Sequence, residues 1–159
     1  MKFSLAREAL LRPLQLVVGV VERRQTLPIL SNVLLSIDDQ RLSITGTDLE
    51  VEIIGYTDTS AVIESGEITV SARKLVDIVR SLPEGAKINF ASGNGKALVT
   101  SERSRFTLAT LPSNEFPSVD GGDKALELSM KGSVMKDFIA ATSFAMAHQD
   151  VRYYLNGMF

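Results

Sequence analysis

Three stretches of this chain share one grammar: a short alternating strand that passes directly into an amphipathic helix. The first is Phe3-Ser4-Leu5 followed by Arg7 through Val21. The second is Ile68-Thr69-Val70 followed by Arg73 through Leu82, and the third Leu126-Glu127-Leu128 followed by Ser133 through Met146. Apolar residues recur with a period near 3.6 in each helix: Leu10, Leu14, Val17, Val18, Val21; Leu75, Val76, Val79, Leu82; Met135, Phe138, Ile139, Met146. A unit recurring about every sixty residues restricts the chain to folds assembled from copies of that unit. Pro13 falls inside the first helical stretch, where its missing N–H predicts a kink or a place near the helix start. Gly19 marks a weak end.

Between the helices the pattern is antiparallel strands. Val33 to Ile37 turns at Asp38-Asp39-Gln40 and returns as Arg41 to Thr45. Leu49 to Tyr56 follows, with Glu50 and Glu52 alternating against apolar neighbours as one wet face, and then residues 61–64. In the second copy Lys87 to Phe90 and Ala97 to Thr100 flank Asn94-Gly95, a hairpin signal because both residues tolerate positive φ. Ser104 to Thr110 is a further strand. The fold class is therefore α+β, one helix plus several antiparallel strands, repeated. Residues 1–112 make a first domain of two repeats, about 1–60 and 61–112. Residues 113–124, with Pro117, Gly121 and Gly122, read as a linker. Residues 125–159 begin a second domain, with a new strand run from Arg152 that stops at Phe159. Its helix has too few strands of its own to cover Phe138 and Ile139, so packing on the first domain or on a neighbouring copy is expected to order it.

Composition excludes several chemistries. Zero cysteines rule out disulfide scaffolds, Cys nucleophiles and Cys-based zinc sites. One histidine, His148, leaves no partner for a His-based triad. There is no phosphate-binding glycine loop. Glu50 and Glu52 would share a side of one strand and could serve as an acid-base or metal pair, but alternating acids more often mark a solvent face. No apolar run approaches the roughly 20 residues of a membrane span. The amino terminus lacks a secretory layout, so the cytoplasm is the expected location. No cofactor is expected.

Charge is distributed unevenly. Around the first helix Arg7, Arg12, Arg23 and Arg24 outweigh Glu8 and Glu22; around the second Arg73, Lys74 and Arg80 outweigh Asp77. Around the third Lys131 and Lys136 outweigh Asp137, yet the whole chain is −2. Basic helices on an acidic body suit one surface that meets a polyanion, although solvated helix faces produce mixed charge too. Two polar segments suit binding: Glu22 to Thr26, and His148 to Tyr154. Arg and Gln contact phosphates without reading sequence, and Tyr can stack on bases. The two tyrosines equally suit a strand with one ring in and one out.

Thr26-Leu27-Pro28-Ile29-Leu30, Thr45-Gly46-Thr47-Asp48-Leu49-Glu50, Arg103-Ser104-Arg105-Phe106 and the long run Met146 to Met158 together resemble the amino-terminal part of bacterial DNA polymerase III β subunits, the sliding clamps. The resemblance covers the whole chain, which is less than half of a full-length clamp. It implies a DNA-clamp fold with two repeats per domain, the first domain complete and the second truncated. It also implies a head-to-tail homodimeric ring around double-stranded DNA, with helices lining the hole. Partners would be the clamp loader, DNA polymerase III and other polymerases, and the role non-catalytic. Arg24 and Gln149 match DNA-contacting positions of that family, with Arg73, Tyr153 and Tyr154 as weaker matches. Lys74, Arg103, Arg105, Phe106 and Leu108 match the edge that pairs with another subunit. Arg152 and Leu155 match part of the pocket for a short partner peptide. A stand-alone interaction module or decoy that binds clamp partners without encircling DNA is the competing reading.

Overall fold

The computed structural model describes residues 1–21, 27–118 and 128–158. The chain divides into two units, Met1–Asp120 and Gly121–Phe159.

In the first unit β1 (Lys2–Ala6) runs directly into α1 (Arg7–Val17). A short 3₁₀ turn, Pro28–Ser31, leads to β2 (Asn32–Asp38), β3 (Arg41–Thr47) and β4 (Glu52–Asp58). The second copy follows after β5 (Ala61–Glu64): β6 (Gly66–Ser71), α2 (Ala72–Ser81), β7 (Lys87–Gly93), β8 (Lys96–Ser101) and β9 (Ser104–Leu111). All pairings are antiparallel, in the order β4-β3-β2-β6-β9-β8-β7-β1-β5. The two copies exchange their leading strands. β1, which precedes α1, pairs with β7, the first strand after α2; β6, which precedes α2, pairs with β2, the first strand after α1. Neither repeat can complete its sheet without the other, so the domain is the folding unit and the repeat is not.

The end strands of the order, β4 and β5, are joined by only Thr59 and Ser60. Thr59 N–H donates to the Gln40 carbonyl at 2.8 Å, and Ser60 N–H to the Ser4 carbonyl at 2.9 Å. The sheet must therefore curl back on itself, which encloses one apolar interior. Leu10, Leu14 and Val17 of α1 and Leu75, Val76 and Val79 of α2 are buried there with Val33, Leu35, Ile44, Ile88, Val99 and Leu108 from the strands. Phe3 and Phe90, directly opposite in register, stack with ring centroids 5.0 Å apart.

Local chemistry explains most boundaries. Asn94 and Gly95 both have positive φ (52° and 70°) between Gly93 and Lys96, a two-residue hairpin of the type that matches strand twist. Pro13 neither starts nor ends α1; it is buried mid-helix, and four more helical residues follow it. Its ring lies against Gly55 of β4, where an added Cβ would come within 2.7 Å of Pro13 Cβ. Strand and helix meet closely there because one of them has no side chain.

Three expectations are corrected. The first helix ends at Val17, and Gly19, Val20 and Val21 continue in tighter three-residue bonds to Leu16, Val17 and Val18. The run of valines around Gly19 is poor helix material. The strand expected from Leu49 begins at Glu52. Leu49 has φ 81°, held by its N–H donating to Thr47 Oγ1 at 3.0 Å, while Glu50 and Val51 N–H groups donate to Asp48 Oδ1 at 2.9 and 2.7 Å. Glu50 thus sits in a turn and shares no strand face with Glu52. The strand run expected from Arg152 is instead a 3₁₀ turn, Tyr153–Asn156.

The second unit contains α3 (Gly132–Thr142), a 3₁₀ turn Ser143–Ala145, and the loop leading to Tyr153–Asn156. No residue of α3 is buried. Leu126 and Glu127 of the expected leading strand, and residues 119–124 of the expected linker, lie outside the described residues.

Candidate nucleic-acid and partner interfaces

Burial on α2 sorts its side chains into two faces. Leu75, Val76 and Val79 point into the core, which leaves Arg73, Lys74, Asp77 and Arg80 exposed. Among the described residues, Arg73, Lys74 and Arg80 form no ion pair. Asp77 lies within one helical turn of Lys74 and Arg80 and partly offsets their field. On α1 Arg12 and Gln15 are exposed. Arg7, counted above with the helix cations, is committed elsewhere. Its Nε donates to the Val79 carbonyl at 3.0 Å and Nη2 to the Arg80 carbonyl at 3.3 Å, capping the end of α2. Nη1 pairs with Glu8 at 3.1 Å, and Glu8 also accepts the Gly85 N–H at 3.1 Å. That N–H, with the Arg7 guanidinium, holds the Glu8 carboxyl below the usual carboxylate range. The site left to a polyanion is thus the outer face of α2 and the exposed part of α1. Arg24 lies outside the described residues.

β9 presents an open edge. Ser104 to Ala109 pair with β8 on one side, while only Thr110 and Leu111 pair with β6 on the other. The backbone groups along the free side can accept another strand. Arg103 and Arg105 are exposed there and form no ion pair among the described residues; Phe106 is half-buried. Leu108 is 5% exposed and packs in the core of its own domain, so this residue contributes to the edge through its backbone and its support of β9. β4 is a second open edge, paired with β3 alone.

In the second unit the loop from Met146 to Asn156 is tied by its own hydrogen bonds. Ala147 N–H donates to the Leu155 carbonyl at 2.8 Å and Leu155 N–H to the Arg152 carbonyl at 2.9 Å. Arg152 grips Asp150 in a fork, Nε to Oδ1 at 3.0 Å and Nη2 to Oδ2 at 2.9 Å. The fork lowers the Asp150 carboxyl from its ordinary value and raises the guanidinium. Gln149 is exposed with φ 59°. Tyr153 and Tyr154 are 86% and 77% exposed, both rings outward, in place of the one-in, one-out arrangement a strand would impose. Leu155 is half-buried. The sequence reading missed Asp150 and Asn156, although an acid two residues before an Arg, with an Asn four beyond, is a pattern for loop self-bonding.

Among the described residues there is no group of three or more acidic or His side chains able to hold a metal, and no helix long and apolar enough to cross a membrane.

Residues 1–120 match the family model described as DNA polymerase III beta subunit, N-terminal domain. The chain is 59% identical over 158 residues to the beta sliding clamp of Pseudomonas putida and 51% identical to that of Escherichia coli K12; each match spans 99% of this chain and 43% of the relative. The crystal structure of DNA polymerase III subunit beta from Pseudomonas aeruginosa superimposes with a TM-score of 0.96 at 58% identity, over 99% of this chain and 43% of that one. The α+β clamp fold is thereby shown. The chain spans less than half the length of these relatives.

Proposed function

Because this chain belongs to the DNA polymerase III beta subunit family, we propose that it forms the first domain, and the opening of the second, of a ring that encircles duplex DNA and tethers the replicative polymerase. The observation that carries this reading is that the first unit offers two distinct surfaces. Cations outnumber acids on the exposed face of α2, and β9 leaves one side unpaired from Ser104 to Ala109. Helices meet phosphates in this arrangement, and edges meet other subunits.

The ring would be a head-to-tail homodimer acting without catalysis in the cytoplasm, loaded by a clamp loader and shared by DNA polymerase III and other polymerases. Arg24, Arg73, Gln149, Tyr153 and Tyr154 would contact the DNA backbone or stack on bases. Lys74, Arg103, Arg105 and Phe106, with the β9 backbone at Leu108, would form the subunit edge. Arg152 and Leu155 would form part of the partner-peptide pocket. Residues 1–112, 113–124 and 125–159 would be the first domain, linker and second domain. Phosphate contacts carry no sequence information, so such a ring can slide.

The test uses a hybrid in which this chain replaces the matching part of the full-length Pseudomonas aeruginosa clamp, loaded on nicked circular DNA. Retention on circles, followed by loss when the DNA is linearised, is the expected result. Equal loss from circles and linear DNA would overturn the proposal.

A further inference from the structure

Asn156 makes two bonds to one residue. Its Oδ1 accepts the Asp150 N–H at 3.0 Å, and its Nδ2 donates to the Asp150 carbonyl at 2.9 Å. An amide side chain that answers both backbone groups of one peptide segment fixes that segment in position and in rotation. The Asp150 side chain is equally occupied: Oδ1 accepts the Arg152 N–H at 2.9 Å and Nε at 3.0 Å, and Oδ2 accepts Nη2 at 2.9 Å. The neck of the loop is closed by the Ala147 N–H on the Leu155 carbonyl.

Gln149 sits immediately before this clasp in the left-handed region. A non-glycine residue persists there when its surroundings over-determine it. No buried core holds this loop; Gln149, Val151, Arg152, Tyr153 and Tyr154 are exposed. Hydrogen bonds are what remains to fix it.

We infer that Asn156, through Asp150, is the positioning residue that sets the Gln149 backbone and the Arg152 guanidinium. The inference deepens the proposal that Gln149 contacts DNA and rests on it for its functional consequence. Both amide groups of Asn156 are engaged within the loop, Oδ1 as an acceptor and Nδ2 as a donor.

Two measurements test it. Hydrogen exchange on this chain should show the Asp150 and Leu155 amides exchanging faster in Asn156→Ala than in the parent, with residues 1–118 unchanged. In the hybrid ring, Asn156→Ala and Gln149→Ala should each weaken binding of a fluorescent duplex by roughly two- to tenfold, the worth of one ordinary hydrogen bond. The double variant should be no worse than Gln149→Ala, because residues that act through one another are not additive. The salt dependence of binding should not change, since no cation is removed. Unchanged exchange in Asn156→Ala overturns the inference. So does parental DNA binding by Asn156→Ala when Gln149→Ala is weakened, or full additivity in the double variant. If Gln149→Ala binds as the parent does, the DNA contact is refuted instead; faster exchange at Asp150 and Leu155 then still supports the clasp, and unchanged exchange overturns it.

Discussion

Gly55 of β4 meets Pro13 of α1 in a close helix–strand approach. A methyl at Gly55 would stand 2.7 Å from Pro13 Cβ and 3.3 Å from its carbonyl oxygen. Both atoms belong to rigid groups, so the strand or helix must move. Gly55→Ala should therefore destabilise the chain by about 1–3 kcal/mol, the usual range for overpacking, measured by urea unfolding. Arg7 is a second residue whose value is structural. Arg7→Ala would strip two carbonyls at the end of α2 of their donors and leave Glu8 without its guanidinium partner. We expect a loss of about 1–3 kcal/mol, as for hydrogen bonds from a charged donor, with no change in the net-positive exposed face of α2. Asp48 makes a prediction in pH. Its carboxyl is held below the ordinary value by the Val51 and Glu50 N–H groups. A depressed carboxylate stabilises the fold above its unfolded pKa, and the contribution is lost as pH falls through the lower folded value. Asp48→Asn should accordingly flatten the acid limb of a plot of unfolding midpoint against pH; an unaltered limb would show that the turn adds nothing.

At the level of elements, legibility followed how local the determining physics is. The β7–β8 hairpin was readable because two adjacent residues must both take positive φ. Asn94→Val, a β-branched side chain in that conformation, should cost about 1–3 kcal/mol in thermal unfolding, without altering the β8–β9 pairing. α2 was readable because its apolar spacing and its burial coincide. The end of α1 was less so, since valines keep the helical period while disfavouring the helix. Leu49 kept a strand-like alternation with Val51 and Ile53, but the Leu49, Glu50 and Val51 N–H groups donating to Thr47 and Asp48 side chains fixed a turn there, and alternation alone does not report side-chain bonding to backbone. The exchange of β1 and β6 between repeats was invisible, because pairing partners are set by closure of the whole sheet. The open edge of β9 belongs to this scale as well. If β9 meets another subunit there, Arg105→Glu in the hybrid ring should weaken self-association by roughly tenfold or more, through lost attraction or new repulsion at a desolvated edge. Sedimentation equilibrium measures it, and an unchanged dissociation constant would remove Arg105 from the interface.

On the scale of the molecule, the two units differ in how much apolar surface they bury. Two copies trade strands and close an interior; the third copy has its helix and loop but, among the described residues, no strand. Its apolar side chains, Phe138 and Ile139 among them, are exposed. The same bookkeeping separates the site residues. Those on complete elements, Arg73 and Lys74, are placed by the core beneath them, while Gln149 depends on bonds inside its own loop.

A ring that holds DNA by topology needs only weak contacts, and weak phosphate contacts have a distinct thermodynamic mark. Each phosphate neutralised on duplex DNA contributes about 0.9 to the slope of log affinity against log salt. Removing Arg24 and Arg73 together from the hybrid ring should lower that slope by about 1–2, whatever the sequence of the duplex. The core should be indifferent, because Arg73 is exposed and forms no ion pair among the described residues. Circular DNA should still be retained after the double substitution, since closure of the ring, and not the cations, prevents escape. A loss that varied with base sequence would mean that these arginines read base edges. Loss of retention on circles with an intact dimer would mean that charge, not closure, holds the DNA.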